Sequence, residues 1–206
     1  MAIDNQRFNQ LSEDELKKGF YLCGESAHNH CDTAEVIVRE KKLYSIATSH
    51  LVLSVEEATK ALIIVEKIKG RSIDKININK IFSKHLPKHE QVKKIFPNAK
   101  NLFIRFYYEY IEKNKDQILS SNNQDHILFK EITEIANFIE KLNKEKFDIL
   151  WDKANKRKNS GFYVDYIKND WIAPKDSINK NIYDKHYKIV RAYLFVVDIH
   201  NSLINN

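Results

Sequence analysis

Three groups of residues in this chain have types and spacings that could do chemistry. The first lies in Leu51 to Ile68, LVLSVEEATKALIIVEKI, an apolar run with Glu56, Glu57 and Lys60 in its middle. Ordinary core packing needs no such charges, because an unpaired buried charge costs several kcal/mol. On a helix Glu56 and Lys60 stand at i and i+4, the favourable order for an ion pair, and Glu57 points about 100° away. The spacing is met either by an intrahelical Glu56–Lys60 salt bridge beside a solvated Glu57, or by a polar centre in which these charges are used.

The second group is His85 and His89 in KHLPKHEQVKKIF, among Lys80, Lys84, Lys88, Lys93 and Lys94. Histidine moves protons near neutral pH, and lysines beside it could stabilise charge developing on a phosphodiester. The i, i+4 spacing could also chelate a metal. Pro87 between the two places His85 before the helix start, however, and no carboxylate quartet or Glu-x-x-His repeat accompanies them, so no metal is expected. The third group is the densest basic run, KANKRKNSG at Lys153 to Gly161 with Arg157 at its centre, either a solvated helix end or a phosphate contact. The remaining histidines are less suggestive. His28 and His30 diverge on one helix, His50 shares a face with Glu57, and His126, His186 and His200 are isolated. The chain has no Gly-rich phosphate loop, zinc ribbon, nucleophile elbow or dinucleotide fingerprint, so no cofactor is expected.

Long helices must position these groups. With four Gly and three Pro in 206 residues, there are few turn residues for an all-β fold and few sites for a linker, which predicts one all-α domain over residues 1–206. A capping box, Ser12 with Glu15, opens a helix whose apolar residues Leu16, Phe20, Cys23, Ala27, Cys31, Ala34 and Val38 recur at three and four. A second helix is expected from Leu43 to about Lys69, closed by Gly70 and folded back antiparallel on the first. A short helix should then start near Pro87 and end at Pro97, followed by helices from Asn98 to Ser120 and from His126 to about Lys156. Alternation in NSGFYVDYIKNDWIAP predicts an extended stretch or hairpin near 160–174, and helical period returns over Ser177 to Leu203.

A net charge of +6 and a pI near 9.1 suit an anionic partner such as nucleic acid, although the charge is spread over many scattered lysines. No apolar run reaches 18 residues, and the opening MAIDNQRFNQLSEDELKK has no apolar segment of a secretion signal. A cytoplasmic protein without a membrane span is expected. Cys23 and Cys31, about 12 Å apart on one helix, are too distant for a disulfide.

SHLVLSVEEATKALIIVE at Ser49 to Glu66, SKHLPKH at Ser83 to His89 and SGFYVDY at Ser160 to Tyr166, in this order and at these separations, give the chain its resemblance to a known family. It resembles the AbiV-type abortive-infection proteins of bacterial phage defence, within the HEPN superfamily, over most of its length. The resemblance implies an all-α, HEPN-like antiparallel helical bundle, commonly a homodimer, that responds to a phage-encoded activator protein and halts phage growth by blocking translation. Many HEPN proteins are metal-independent endoribonucleases with an active site shared across the dimer, which would make RNA (tRNA, rRNA or mRNA) the partner.

The usual HEPN signature, Arg followed after four to six residues by His, is absent here. Admitting Lys gives Lys84–His89, Lys80–His85 and Lys180–His186, no more than the roughly four pairs that scattered charge yields by chance. The site therefore follows from the likeness: Glu57, Lys60, His85 and His89 as catalytic candidates, Lys84, Lys88 and Arg157 as RNA or phosphate ligands, and Glu56, Tyr163 and Asp165 in support. The alternative is a non-catalytic HEPN-like module that blocks translation by binding a ribosomal or phage component. A third reading is a bundle with a small nucleotide-like ligand in its polar interior.

Overall fold

The computed structural model describes residues 5–71, 78–83, 85–120, 124–162, 165–167, 170–173 and 178–204. Its helices are α1 (Asn5–Asn9), α2 (Glu13–Lys41), α3 (Tyr44–Ile68), α4 (Ile78–Ser83), α5 (His85–Ser120), α6 (Gln124–Lys141), α7 (Lys144–Asp152), α8 (Ala154–Phe162) and α9 (Lys180–Ile204). Between α8 and α9 a two-stranded antiparallel hairpin pairs β1 (Asp165–Ile167) with β2 (Asp170–Ile172), Tyr166 opposite Trp171. The fold is the expected all-α bundle with a short hairpin.

The capping box starts α2: Ser12 Oγ accepts from Glu15 N at 3.2 Å, and the Glu15 carboxylate accepts from Ser12 N at 2.9 Å. The three-and-four spacing then buries Leu16, Phe20, Ala27, Cys31 and Ala34. Lys42 takes a left-handed conformation, φ 55°, and turns the chain into α3. Contacts run in reverse order along the two helices, with Gly19 at Ile64, Ser54 Oγ donating to Ala27 O at 2.7 Å, and His50 at His30. They form an antiparallel pair. Helix α3 ends at Gly70, whose φ of 68° is the left-handed turn that glycine adopts without strain.

Helix α3 is buried nearly all round, from Ser45 to Val65, as expected of a central helix rather than a surface one. Helices α2, α5, α8 and α9 pack against it. Tyr193 Oη on α9 donates to Val92 O on α5 at 3.1 Å, and Phe96 on α5 stacks on Phe147 of α7 at 3.7 Å between centroids. Among the described residues no helix is long and apolar enough to cross a membrane.

Two expected boundaries are corrected. Pro97 does not end a helix but lies inside α5, where the buried neighbours Phe96 and Ala99 hold the helix together across the missing N–H. The helix expected over His126 to Lys156 is three, because Asn143 Oδ1 caps α7 by accepting from Lys146 N at 2.8 Å and a turn at Lys153 then separates α7 from α8.

Candidate functional site

Glu56 sits on the packed face of α3 with no exposed surface. Lys158 on α8 meets it, Nζ donating to Oε1 at 2.8 Å, and is itself 4% exposed. His89 on α5 brings Nε2 to 3.1 Å from the same oxygen, its ring against Trp151. Neither nitrogen of His89 has a well-directed hydrogen-bond partner among the described residues, so this is a close approach, ionic only when the ring carries a second proton. Burial alone would push the Glu56 carboxyl up. The contacts with His89 and Lys158 overcome it and hold the pKa near about 2, so the group is an anion at neutral pH.

Lys158 reaches Glu56 because α8 runs very close to α3. A Cβ at Gly161 would stand 1.8 Å from Ser49 Oγ and 2.4 Å from Ser45 O. The glycine therefore makes the crossing possible, and Ser49 Oγ fastens it by donating to Lys158 O at 2.8 Å. Arg157, next along α8, turns the other way. Its Nη1 donates to Leu150 O at 2.9 Å and lies 3.5 Å from His186 Nε2, and burial lowers its pKa. His186 is buried, and burial takes its pKa down to about 4, against the hydrogen bond that Nδ1–H donates to Ile182 O at 2.8 Å. It is a neutral ring packed against Trp151, with Arg157 beside it.

A second polar cluster lies along α3. Glu57 and Lys60 form an ion pair with side chains 16% and 12% exposed, and Lys60 Nζ lies over the Phe82 ring. His30 on α2 and His50 on α3 approach Nδ1 to Nδ1 at 3.2 Å, so one ring donates and the other accepts. Burial lowers the pKa of both; the charges of Glu57 and then Glu56 raise that of His30, and Lys60 lowers it. The edge of Phe162 closes on His50. Two histidines sharing one proton beside a carboxylate and an ammonium are equipped for proton transfer.

Together these contacts give one helix, Glu-Glu-x-x-Lys in the middle of α3, whose charges meet histidines from α2, α3 and α5. The AbiV family model, of HEPN type, matches residues 15–194, a span that includes all of α3 and α8. The chain belongs to the AbiV family. Membership makes it an abortive-infection protein of phage defence. No curated protein and no solved structure matches the chain.

In this AbiV family member Lys60 pairs with Glu57 at i+3, not with Glu56, which corrects the simplest reading of the spacing: Glu56 turns inward to a cation on another helix. His85 is the first residue of α5 rather than a residue before it, since Pro87 falls in the first turn, where its missing N–H costs nothing. The side chains of His85 and Lys88 and the whole of Lys84 and Tyr163 lie outside the described residues. Asp165 opens β1 opposite Ile172, its side chain likewise outside. Glu56 and His89 are brought together; Arg157 faces away from them.

Three contributors escape sequence reasoning: Lys158, the His30–His50 pair, and Trp151 between His89 and His186. The available signal for Lys158 was the Ser160-Gly161 pair in a basic run, small residues where two helices must touch. Among the described residues no three His, Cys, Asp or Glu side chains are grouped to hold a metal ion.

Proposed function

We propose that this AbiV family member stops phage growth by shutting down translation through RNA cleavage, as a homodimer that a phage-encoded protein activates. The observation that carries the reading is the convergence on α3 of Glu56, Glu57 and Lys60 with His30, His50 and His89. Chemistry of this kind needs a group to take a proton, a group to give one, and a cation for phosphate. In the reaction a histidine takes the proton from a ribose 2′-hydroxyl, O2′ bonds to the adjacent phosphorus, and the phosphorus–O5′ bond breaks. A protonated histidine gives its proton to O5′, leaving a 2′,3′-cyclic phosphate and a 5′-hydroxyl. His89 and His85 fill these roles, Glu56 and Glu57 orient them, and Lys60, with Lys84 or Lys88, holds the phosphate; Arg157, expected among the phosphate ligands, faces away from this centre.

The test is RNA integrity in infected cells producing the wild-type chain, His85→Ala/His89→Ala or His30→Ala/His50→Ala, each variant checked for its thermal transition. Discrete fragments with wild type, insensitive to EDTA, and their loss in a folded variant are expected, and the variant that loses them identifies the histidines at work. Intact RNA with translation stopped overturns cleavage.

A second reading has its own support. Glu56 is wholly buried and its partner Lys158 nearly so, which is the arrangement of a structural ion pair. On this reading the chain is a non-catalytic module that blocks translation by binding a ribosomal or phage component, and growth arrest proceeds with RNA intact.

A further inference from the structure

Helices α6, α7, α8 and α9 line an open groove of about 380 Å³. Lys141, Lys146, Lys153 and Lys185 stand at its rim, all exposed, and the half-buried Arg157 stands with them. Among the described residues no acidic side chain lines the groove, and none of these four lysines is in an ion pair. The contrast with neighbouring lysines is local: Lys144 pairs with Asp148 and Lys93 with Asp152, both off the groove. Five cations left without counter-charges around one depression attract an anionic partner.

The floor decides which kind. It is aliphatic, with Leu142, Leu150 and Ile149, the last 58% exposed, a large apolar side chain in water without a covering neighbour. Its one aromatic ring, Phe138, has Lys188 Nζ 5.7 Å from its centroid. Nucleic-acid bases seek open aromatic faces on which to stack, and this floor offers none; it suits the branched side chains of a peptide. We propose that the groove docks an acidic, amphipathic segment of a partner protein, its Leu or Ile side chains on Ile149 and Leu150 and its carboxylates on the lysine rim.

Docking here reaches the polar centre through one helix. Arg157 faces the groove and Lys158, the next residue of α8, holds Glu56. A carboxylate that draws the Arg157 guanidinium from Leu150 O and His186 acts on the element that carries the buried pair. That regulatory consequence rests on the proposed activation by a partner protein; the binding itself does not.

The experiment is affinity selection of a random 16-residue peptide library on the full chain. Binders are expected to be enriched in Asp and Glu interleaved with Leu, Ile or Phe at helical spacing. Measured by fluorescence anisotropy, they are expected to bind at least tenfold more weakly to Lys146→Glu/Lys153→Glu and to Ile149→Asp, with both variants keeping the wild-type circular dichroism and melting transition. Binders without acidic enrichment, binding unchanged in both variants, or no binders at all overturn the proposal. A single-stranded RNA 12-mer that binds wild type, loses affinity in the same variants and displaces the selected peptides also overturns it, by making the groove a nucleic-acid site. RNA cleavage enters none of these readouts, so failure of the ribonuclease reading and failure of this one are separable.

Discussion

The Glu56 centre and the lysine groove lie on two sides of one helix and solve the problem of charge in opposite ways. At Glu56 each charge has been taken out of water and matched: the carboxylate is fully covered, Lys158 is within 2.8 Å, and His89 completes the set. In the groove four lysines keep their hydration and are matched by no acidic side chain among the described residues. A buried charge without its partner is destabilising by several kcal/mol, whereas an exposed one is nearly free. Stability should therefore depend steeply on the first region and hardly at all on the second, and a partner's binding should show the reverse dependence.

The largest expected effect comes from splitting the buried pair. Glu56→Ala leaves Lys158 covered and uncompensated, and Lys158→Ala leaves the carboxylate so; each should lower the unfolding free energy by about 3–5 kcal/mol in urea denaturation. Replacing both, Glu56→Met with Lys158→Met, should recover most of that loss, because the double variant strands neither charge. If the two single losses simply add in the double variant, the ion pair is not what holds α8 to α3.

Acid should separate the Glu56 centre from the buried histidines elsewhere in the bundle. His186 and His200 have pKa values lowered to about 4, chiefly by burial, from an ordinary 6.5. Below pH 6.5 the unfolded chain takes up protons that the fold refuses, so stability falls as pH drops from 6.5 toward 4, by as much as about 3 kcal/mol for His186 once the window is crossed. Glu56, held near about 2 against an ordinary 4.5, contributes stability that is present above pH 4.5 and lost as pH falls toward 2. Urea midpoints measured from pH 7 to 2 should thus show two descending steps, the upper reduced in His186→Phe and the lower reduced in Glu56→Gln. A single step unmoved by Glu56→Gln would mean that the carboxylate is not held ionised as described.

What sequence reasoning reached, and what it missed, divides along the same line of local against distant. Ser12 with Glu15, the Gly70 stop, the three-and-four spacing of α2 and the hairpin after α8 are all settled within a few residues, and all were readable. The charged middle of α3 was readable as a question, since Glu56 in an apolar helix demands a partner. The answer was not, because Lys158 is 102 residues away and looks like one lysine among many in a basic run. Propensity also misled where packing prevailed: Pro97 continues α5 because Phe96 is locked on Phe147, and Asn143 breaks a helical period by offering its side chain to a backbone N–H. The absence of the Arg-to-His spacing left the histidines unassigned, and His30 with His50 met only once α2 had folded back on α3.

A third intervention sharpens the comparison by moving the helix that the two regions share. In Gly161→Ala the new methyl would fall 2.4 Å from Ser45 O, a backbone atom that cannot rotate aside, so α8 must lift from α3. Overpacking of this kind costs about 1–3 kcal/mol, and here it also lengthens the Lys158–Glu56 contact. The expected signature is a loss of about 2 kcal/mol in urea, diminished in the Glu56→Met/Lys158→Met background, where there is no ion pair left to stretch. An undiminished loss there would make the crossing a matter of packing alone.

The smallest effect is the most discriminating. Lys146→Glu/Lys153→Glu reverses two exposed charges that no residue of the groove pairs with, and should change the unfolding free energy by no more than about 0.5 kcal/mol. If anything the sign should favour the variant, because like charges are being thinned from one rim. Were the double reversal to destabilise the chain by 2 kcal/mol or more, these lysines would be structural cations like Lys158, and the contrast between a matched interior and an unmatched surface would collapse. Were it silent in stability and yet abolish phage resistance in cells, the groove would be a surface that the protein keeps for something other than itself.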